Sequence, residues 1–222
     1  MKKILGKILQ FLKFVRDEVI KFPAYILVHP LKGFEEFKRY GRGKISIGIA
    51  FVIITVILNI LKFQYSGFVV NDISIRDLKS FAQVIYVVGA VIVVSVANWS
   101  VTTLFDGKGN FKFIFMMVCY CLYPYIWANL IGMILSNVLA TEEVMIYRLI
   151  IGIGWFLTGY LFFFGIISIH EYGLGQCLLT ILFTLVAALI ILFVGILVFD
   201  LFQKIYGFLY QIYQEITMRN LL

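Results

Sequence analysis

The stretch NWSVTTLFDGKGNFKFIF, residues 98–115, decides the fold. A long apolar run lies on either side of it, and its centre reads Asp-Gly-Lys-Gly-Asn. Three readings compete: a phosphate cradle, a catalytic loop, or a turn between two membrane helices. A phosphate loop needs GxxxxGK[ST], or GxGxxG opening a helix after a strand. Here Gly107-Lys108-Gly109-Asn110 comes after a helical pattern and lacks the hydroxyl residue after the lysine. Asp-Gly and Gly-Asn instead supply left-handed turn positions, and Asn110 supplies an N-cap for the next helix. The stretch is therefore expected to be a tight helical hairpin.

The rest of the chain sets the solvent for that hairpin. Of 222 residues, 62% are hydrophobic and 14% charged, with a mean hydropathy of +1.00. Soluble domains carry roughly a quarter of their residues as Asp, Glu, Lys or Arg. A soluble fold of this size has no interior large enough for so much apolar surface. The composition points to an all-α polytopic membrane protein, a five-transmembrane-helix bundle. Its spans fall near 45–61, 81–105, 111–135, 147–169 and 177–199, each long enough for about 30 Å of hydrocarbon. Residues 1–29 form a basic entry segment, 30–199 the membrane domain, and 200–222 an amphipathic C-terminal tail.

Lysine and arginine bias gives an orientation. Eleven precede the first span, and Lys108 and Lys112 join them on the same side, against six on the other. The N-terminus and the hairpin are thus expected in the cytoplasm and the C-terminus outside, with the plasma membrane as the host. Lys7 and Lys13 interrupt the apolar core that a cleaved signal peptide would need, so the segment is read as retained. Ile4, Leu5, Ile8, Leu12, Val15 and Val19 recur at helical spacing with Lys3, Lys7, Lys13 and Arg16 mostly off that stripe. Such a helix lies in the interface and is drawn to anionic lipids. Leu31, Phe34, Phe37 and Tyr40 suggest a second interfacial helix. A nucleic-acid partner is not expected, because no binding fold accompanies the net charge of +7.

The span cores contain no Asp, Glu, Lys, Arg or His, the groups that proton relays and ion-coupled carriers use. Polar and small residues recur instead: Ser95, Asn98 and Thr102 in the second span; Tyr125, Asn129, Gly132 and Ser136 in the third. Gly154 and Thr158 occur in the fourth, and Thr180, Thr184, Ala187, Ile191 and Gly195 in the fifth. These stripes suit helix–helix packing or docking of a partner helix. Pro124 kinks the third span, and Tyr120, Tyr123, Tyr125 and Trp127 either fill the kink or line a cavity there. Cys119, Cys121 and Cys177 lack metal or redox spacing and read as packing residues. The sequence HEYGL begins like HExxH, but Leu174 replaces the second histidine. His170 and Glu171 are expected to be solvated in a short loop. No catalytic residue, cofactor or metal is assigned.

The central motif, with YCLYPY after it and HPLKGFEEF at His29–Phe37, resembles the bacterial branch of the Yip1-domain membrane proteins. The resemblance covers roughly residues 30–199 and implies five membrane helices with a cytosolic N-terminus. The Y-G-P signature of eukaryotic relatives is absent; RYGRGK at Arg39–Lys44 is a partial echo. The resemblance further implies an accessory role beside sugar-type ABC permeases. The expected function is a non-enzymatic adaptor for other integral membrane proteins, ABC permease subunits being the candidate partners. Its contacts are expected to involve Asn98, Trp99, Thr102, Asp106, Lys108, Asn110, Tyr123, Pro124 and Asn129. The alternatives are a pore or carrier for a small neutral solute, and membrane shaping by the N-terminal helix.

Overall fold

Hydrocarbon offers the backbone no hydrogen-bonding water, so a spanning segment must satisfy its own peptide groups as helix. The computed structural model describes residues 13, 15–70 and 79–219. The first twelve residues, with most of the basic helix expected there, lie outside the described residues, as does most of the VVNDISIRDL loop. A π-helical segment, Val15–Lys21, leads into α1 (Phe22–Val28) and α2 (Pro30–Arg39). Next in order are α3 (Ile45–Tyr65), α4 (Ser80–Leu104), α5 (Phe111–Cys121) with α6 (Tyr123–Leu135), α7 (Val144–His170) and α8 (Leu174–Arg219). Five helical stretches are long and apolar enough to cross a membrane, and the described residues contain no strand. The chain is a multi-pass membrane protein.

The third span is the hub. Its most apolar window is 67% buried, against 6% for α8. Within it α5 packs on α3, α4 and α7, and α6 packs on α3 and α7. Pro124 stands in the first turn of α6 and divides the span at Leu122. Leu122 N–H there donates to the Cys119 carbonyl at 3.2 Å, and Ile126 N–H returns to the Leu122 carbonyl at 2.9 Å. Tyr120 fills the bundle interior beside the kink, its ring centroid 4.9 Å from Phe37, 5.3 Å from Phe51 and 6.2 Å from Phe22. Tyr123 and Pro124 are buried as well, and the Tyr123 hydroxyl donates to the Ile20 carbonyl at 3.3 Å. Tyr125 turns the other way and lines a lateral groove of about 490 Å³ with Asn59, Tyr86 and Trp155. Cys119, Cys121 and Cys177 are free and buried.

Four features depart from the sequence reading. In α2, Phe34 and Phe37 are buried inside the bundle, and only Leu31 and Tyr40 of that stripe are exposed; the helix packs along α7. Packing against a neighbouring span gives those rings a more complete cover than the bilayer edge. The first span runs a turn further, to Tyr65. Residues 200–219, set apart as a tail, continue α8 without a break. The small-residue stripe on that helix packs only in its first half: Thr180 and Thr184 are buried, Ala187 and Ile191 half-buried, and Gly195 exposed.

Polar groups join helices where the stripes meet. Asn98, fully buried in α4, donates from Nδ2 to Thr184 Oγ1 of α8 at 3.2 Å. Ser95 and Thr102 return their hydroxyls to the carbonyls of Val91 (2.6 Å) and Asn98 (2.8 Å) in their own helix. Gly154 of α7 lets the helix approach Ala128 of α6, leaving no room for a Cβ. Removing one partner of a buried bond leaves the other unpaired, which costs about 1–3 kcal/mol, whereas replacing both is close to neutral. Thr184→Val is therefore expected to destabilise the bundle by about 1–3 kcal/mol, and Asn98→Leu with Thr184→Val to recover most of the loss. Thermal unfolding in detergent checks both.

Candidate functional site

Two helices end at the same membrane face with the same device. At the end of α4, Asp106 adopts a left-handed conformation, φ 52°, and Gly107 N–H returns to the Thr102 carbonyl at 2.8 Å. At the end of α7, Glu171 adopts φ 59°, and Tyr172 N–H returns to the Ile167 carbonyl at 3.2 Å. Both are Schellman-type ends, whose left-handed position is usually glycine. Asp tolerates that conformation through its short polar side chain. Glu has no such advantage, so its place here needs another cause.

That cause is a three-element clasp. Glu171 accepts from Lys38 of α2 on Oε1 and from Lys108 of the hairpin on Oε2, each at 2.7 Å. The ammonium of Lys38 also reaches the Ile169 carbonyl at 3.4 Å. One carboxylate thus ties the entry helix, the hairpin and the α7–α8 turn together. Lys108 and then Lys38 hold the Glu171 carboxyl down at about 2.

The residues either side of Glu171 explain the glycines. His170 is 1% exposed, its ring stacked 5.2 Å from Tyr172, and its Nδ1 accepts from Gly109 N–H at 3.4 Å. A Cβ on Gly107 would lie 2.5 Å from His170 Nδ1 and 2.7 Å from Tyr172 Oη; one on Gly109 would lie 2.6 Å from Ile169 Cγ2. Tyr172 donates to the Phe105 carbonyl at 3.1 Å, where Gln176 Nε2 also reaches at 3.3 Å. Asp106, Lys108 and Asn110 alternate with these glycines and are exposed. The hairpin therefore has an inner side of backbone and an outer side of polar side chains. His170, expected to be solvated, is instead roofed by the hairpin, because the two glycines let main chain settle onto its ring.

The residues proposed from sequence separate into groups. Asn98 and Thr102 are buried in the bundle, and Asn129 is buried with Nδ2 bonded to the Tyr125 carbonyl at 2.9 Å. Tyr123 and Pro124 lie at the kink, away from the hairpin. Trp99, Asp106, Lys108 and Asn110 are exposed, with Trp99 edge-on to Phe111 at 5.7 Å. Asn110 has the extended backbone of an N-cap and its carbonyl accepts from Phe113 N–H at 2.9 Å, but its side chain makes no capping bond. Sequence reasoning missed Lys38, Glu171 and Tyr172, three residues separated from the hairpin by many turns of helix. The usable signal was a charged pair of helix ends on the same side of the membrane.

The Yip1 domain, a family model, matches residues 24–196, more than three quarters of the chain. The chain belongs to the Yip1-domain family. No curated protein and no solved structure matches significantly. Lys38, the hairpin, Glu171 and Tyr172 all fall inside the Yip1 domain, whereas the outer turns of α8 lie beyond its end.

The clasp has a defined pH response. Glu171 has an ordinary value of 4.5 and a lower value, about 2, in the folded protein. Its ion pairs therefore stabilise the Yip1 domain fully above pH 4.5 and lose that contribution as the pH falls towards 2. Both partners are partly exposed, so the effect is modest and screened by salt. Glu171→Gln is expected to lower the melting temperature slightly at pH 7, with native and variant curves converging near pH 2; thermal unfolding across pH at low salt measures it.

Proposed function

We propose that this Yip1-domain protein is a non-enzymatic membrane adaptor that binds other integral membrane proteins, using the clasped hairpin as its contact surface. The observation that carries this reading is the two-sided hairpin. Its glycines are fastened down by His170, Tyr172 and the bridged Glu171, while Asp106, Lys108 and Asn110 face outward beside exposed Trp99. A fastened polar loop loses little conformational entropy when a partner docks. Trp99 supplies an exposed aromatic of the kind enriched in interfaces, and the polar hairpin side chains suit the solvent-accessible rim around it. Members of the family are in general non-enzymatic membrane proteins.

The lysine and arginine bias supports a cytoplasmic hairpin and N-terminus, an outward C-terminus, and the plasma membrane of a bacterium. Basic residues of the entry segment then meet anionic lipid headgroups. The resemblance to bacterial relatives favours ABC permease subunits as the partner.

Purification of the tagged protein from its native membrane in mild detergent tests the reading. A stoichiometric integral partner is expected. Asp106→Asn with Asn110→Ala keeps a residue suited to the left-handed turn and removes the outward charge and amide. That variant is expected to lose at least tenfold of the co-purifying partner, with its melting temperature unchanged. A native protein that purifies alone would overturn the reading.

A further inference from the structure

The geometry points to a lipid site towards the face opposite the hairpin: the lateral groove between α4 and α7 takes one acyl chain of an anionic phospholipid, and Lys62 binds its phosphate. This inference goes beyond the adaptor reading and does not depend on it.

The groove is built around the third span. α4 and α7 each pack against that span and form the two walls, with Thr55 and Asn59 of α3 in the floor. Its volume of about 490 Å³ is within the roughly 300–1,000 Å³ of small-molecule sites. Along α4 the lining runs from Tyr86 to Val94, about 12 Å of helix. A lipid chain of one leaflet has about 15 Å of hydrocarbon to itself, half of the bilayer core. The groove therefore takes most of one such chain.

Polarity is graded along that length. By their order along each helix, Asn59, Tyr86, Tyr125 and Trp155 lie at the end away from the hairpin, and Tyr125 Oη donates to Asn59 Oδ1 there at 3.3 Å. Val91, Val94, Val118 and Phe162 line the remainder. Thr55 and Thr158 spend their hydroxyls within their own helices, on the Phe51 carbonyl at 2.8 Å and the Gly154 carbonyl at 2.9 Å. The body offers hydrocarbon and one end offers polar groups, which is the pattern of an amphiphile.

The headgroup position follows from Lys62. Because the first span reaches Tyr65, Lys62 falls inside it and is half-buried. Its Nζ approaches Asn129 Oδ1 at 3.5 Å and lies 5.6 Å from the centre of the Tyr147 ring. Lys62 is three residues after Asn59, and Asn129 four after Tyr125, so this contact is the next rung outward from the polar end of the groove. Lysines near helix ends usually carry their ammonium out to the interface. Lys62 is three residues before Tyr65, whose carbonyl accepts from Asn137, yet it reaches Asn129, eight residues before Asn137. Its ammonium turns inward. Donors outnumber acceptors there: the ammonium has three N–H groups, and Tyr147 Oη is buried with no partner among the described residues. An anionic oxygen supplies what this cluster lacks.

Register adds two cations beyond the walls. Lys79 is seven residues before Tyr86, and Arg148 seven before Trp155. Seven residues return a helix to nearly the same face about 10.5 Å further on. Both are exposed, and among the described residues neither they nor Lys62 forms an ion pair. Glu143, close by in sequence, accepts from Ala140 N–H at 3.2 Å in its own turn. Each side of the groove mouth thus carries positive charge at headgroup height, which selects an anionic lipid over a zwitterionic one.

Native mass spectrometry of the full-length protein in detergent, with phosphatidylglycerol and phosphatidylcholine of identical chains, tests this. The native protein is expected to retain phosphatidylglycerol at least fivefold over phosphatidylcholine. Lys62→Gln is expected to remove that preference, and Lys62→Arg to keep it. Should Lys62→Gln fail to fold, Lys79→Gln with Arg148→Gln is expected to weaken the same preference. Gly159 lines the groove with open space around its Cβ position. Gly159→Phe fills that space and is expected to lower phosphatidylglycerol retention at least fivefold without lowering the melting temperature. Glycerol phosphate, which has no chains, is expected not to displace the lipid. Equal retention of the two lipids, an unchanged preference in the charge variants, or full retention in Gly159→Phe would overturn the inference. So would displacement by glycerol phosphate, which assigns the cations to free phosphate.

Discussion

A peptide group in hydrocarbon has no partner except another peptide group or a nearby side chain, and this constraint governs where chemistry appears in the molecule. Within the spans the backbone is committed to helix, and side-chain polarity serves packing: Asn98 reaches Thr184, and Asn129 returns to Tyr125. At the bilayer edge the constraint lifts. Water solvates charged side chains there, left-handed turns are possible, and elements distant in sequence are tied by ion pairs rather than by surface burial alone. The clasp centred on Glu171 occurs at that edge for this reason. It joins α2, the hairpin and the α7–α8 turn with a single carboxylate.

The two ends of the bundle differ in how they are closed. At the hairpin face, main chain lies directly on a buried imidazole, and glycine is the residue that makes the approach possible. At the opposite face, Gly67 N–H donates to Ser136 Oγ at 2.9 Å, and Asn137 Nδ2 reaches the Tyr65 carbonyl at 2.8 Å. These bonds tie the end of α3 to the end of α6 through neutral groups. The hairpin face is the one closed by a carboxylate held between two ammonium groups, and the side with the left-handed residues Asp106 and Glu171.

Much of the architecture was legible because hydrocarbon thickness sets a length and helices set a period. Those rules were enough for spans two to four, the hairpin at Asp106–Asn110 and the kink at Pro124. The features that were not legible depended on which helix lies beside which. Nothing in the spacing of Phe34 and Phe37 distinguishes a helix resting on lipid from one packed against α7. His170 is buried at a helix end where a solvated loop residue was expected. Glu171 is in the turn and exposed as expected, but carries ion pairs that spacing does not show. The reason is that the partners Gly109, Lys38 and Lys108 are 61, 133 and 63 positions away. The continuation of α8 past Phe199 was not legible for a different reason. Asp200 and Lys204 resemble the polar margin of a span, yet one turn apart they pair with each other and the helix runs on.

The unequal burial of the spans also has a meaning in time. Ribosomes deliver the helices to the bilayer in order, and the hub, α5 with α6, arrives third. Its earlier neighbours α3 and α4 are already present, but α7, which packs along both α5 and α6, is not. Until the fourth span inserts, the Ala128 face of the hub, against which Gly154 later closes, borders lipid. The clasp comes later still, because Glu171 leaves the ribosome after the whole of α7. Biosynthesis therefore passes through a three-span stage in which the central helix is housed on one side only, and the fourth span completes it.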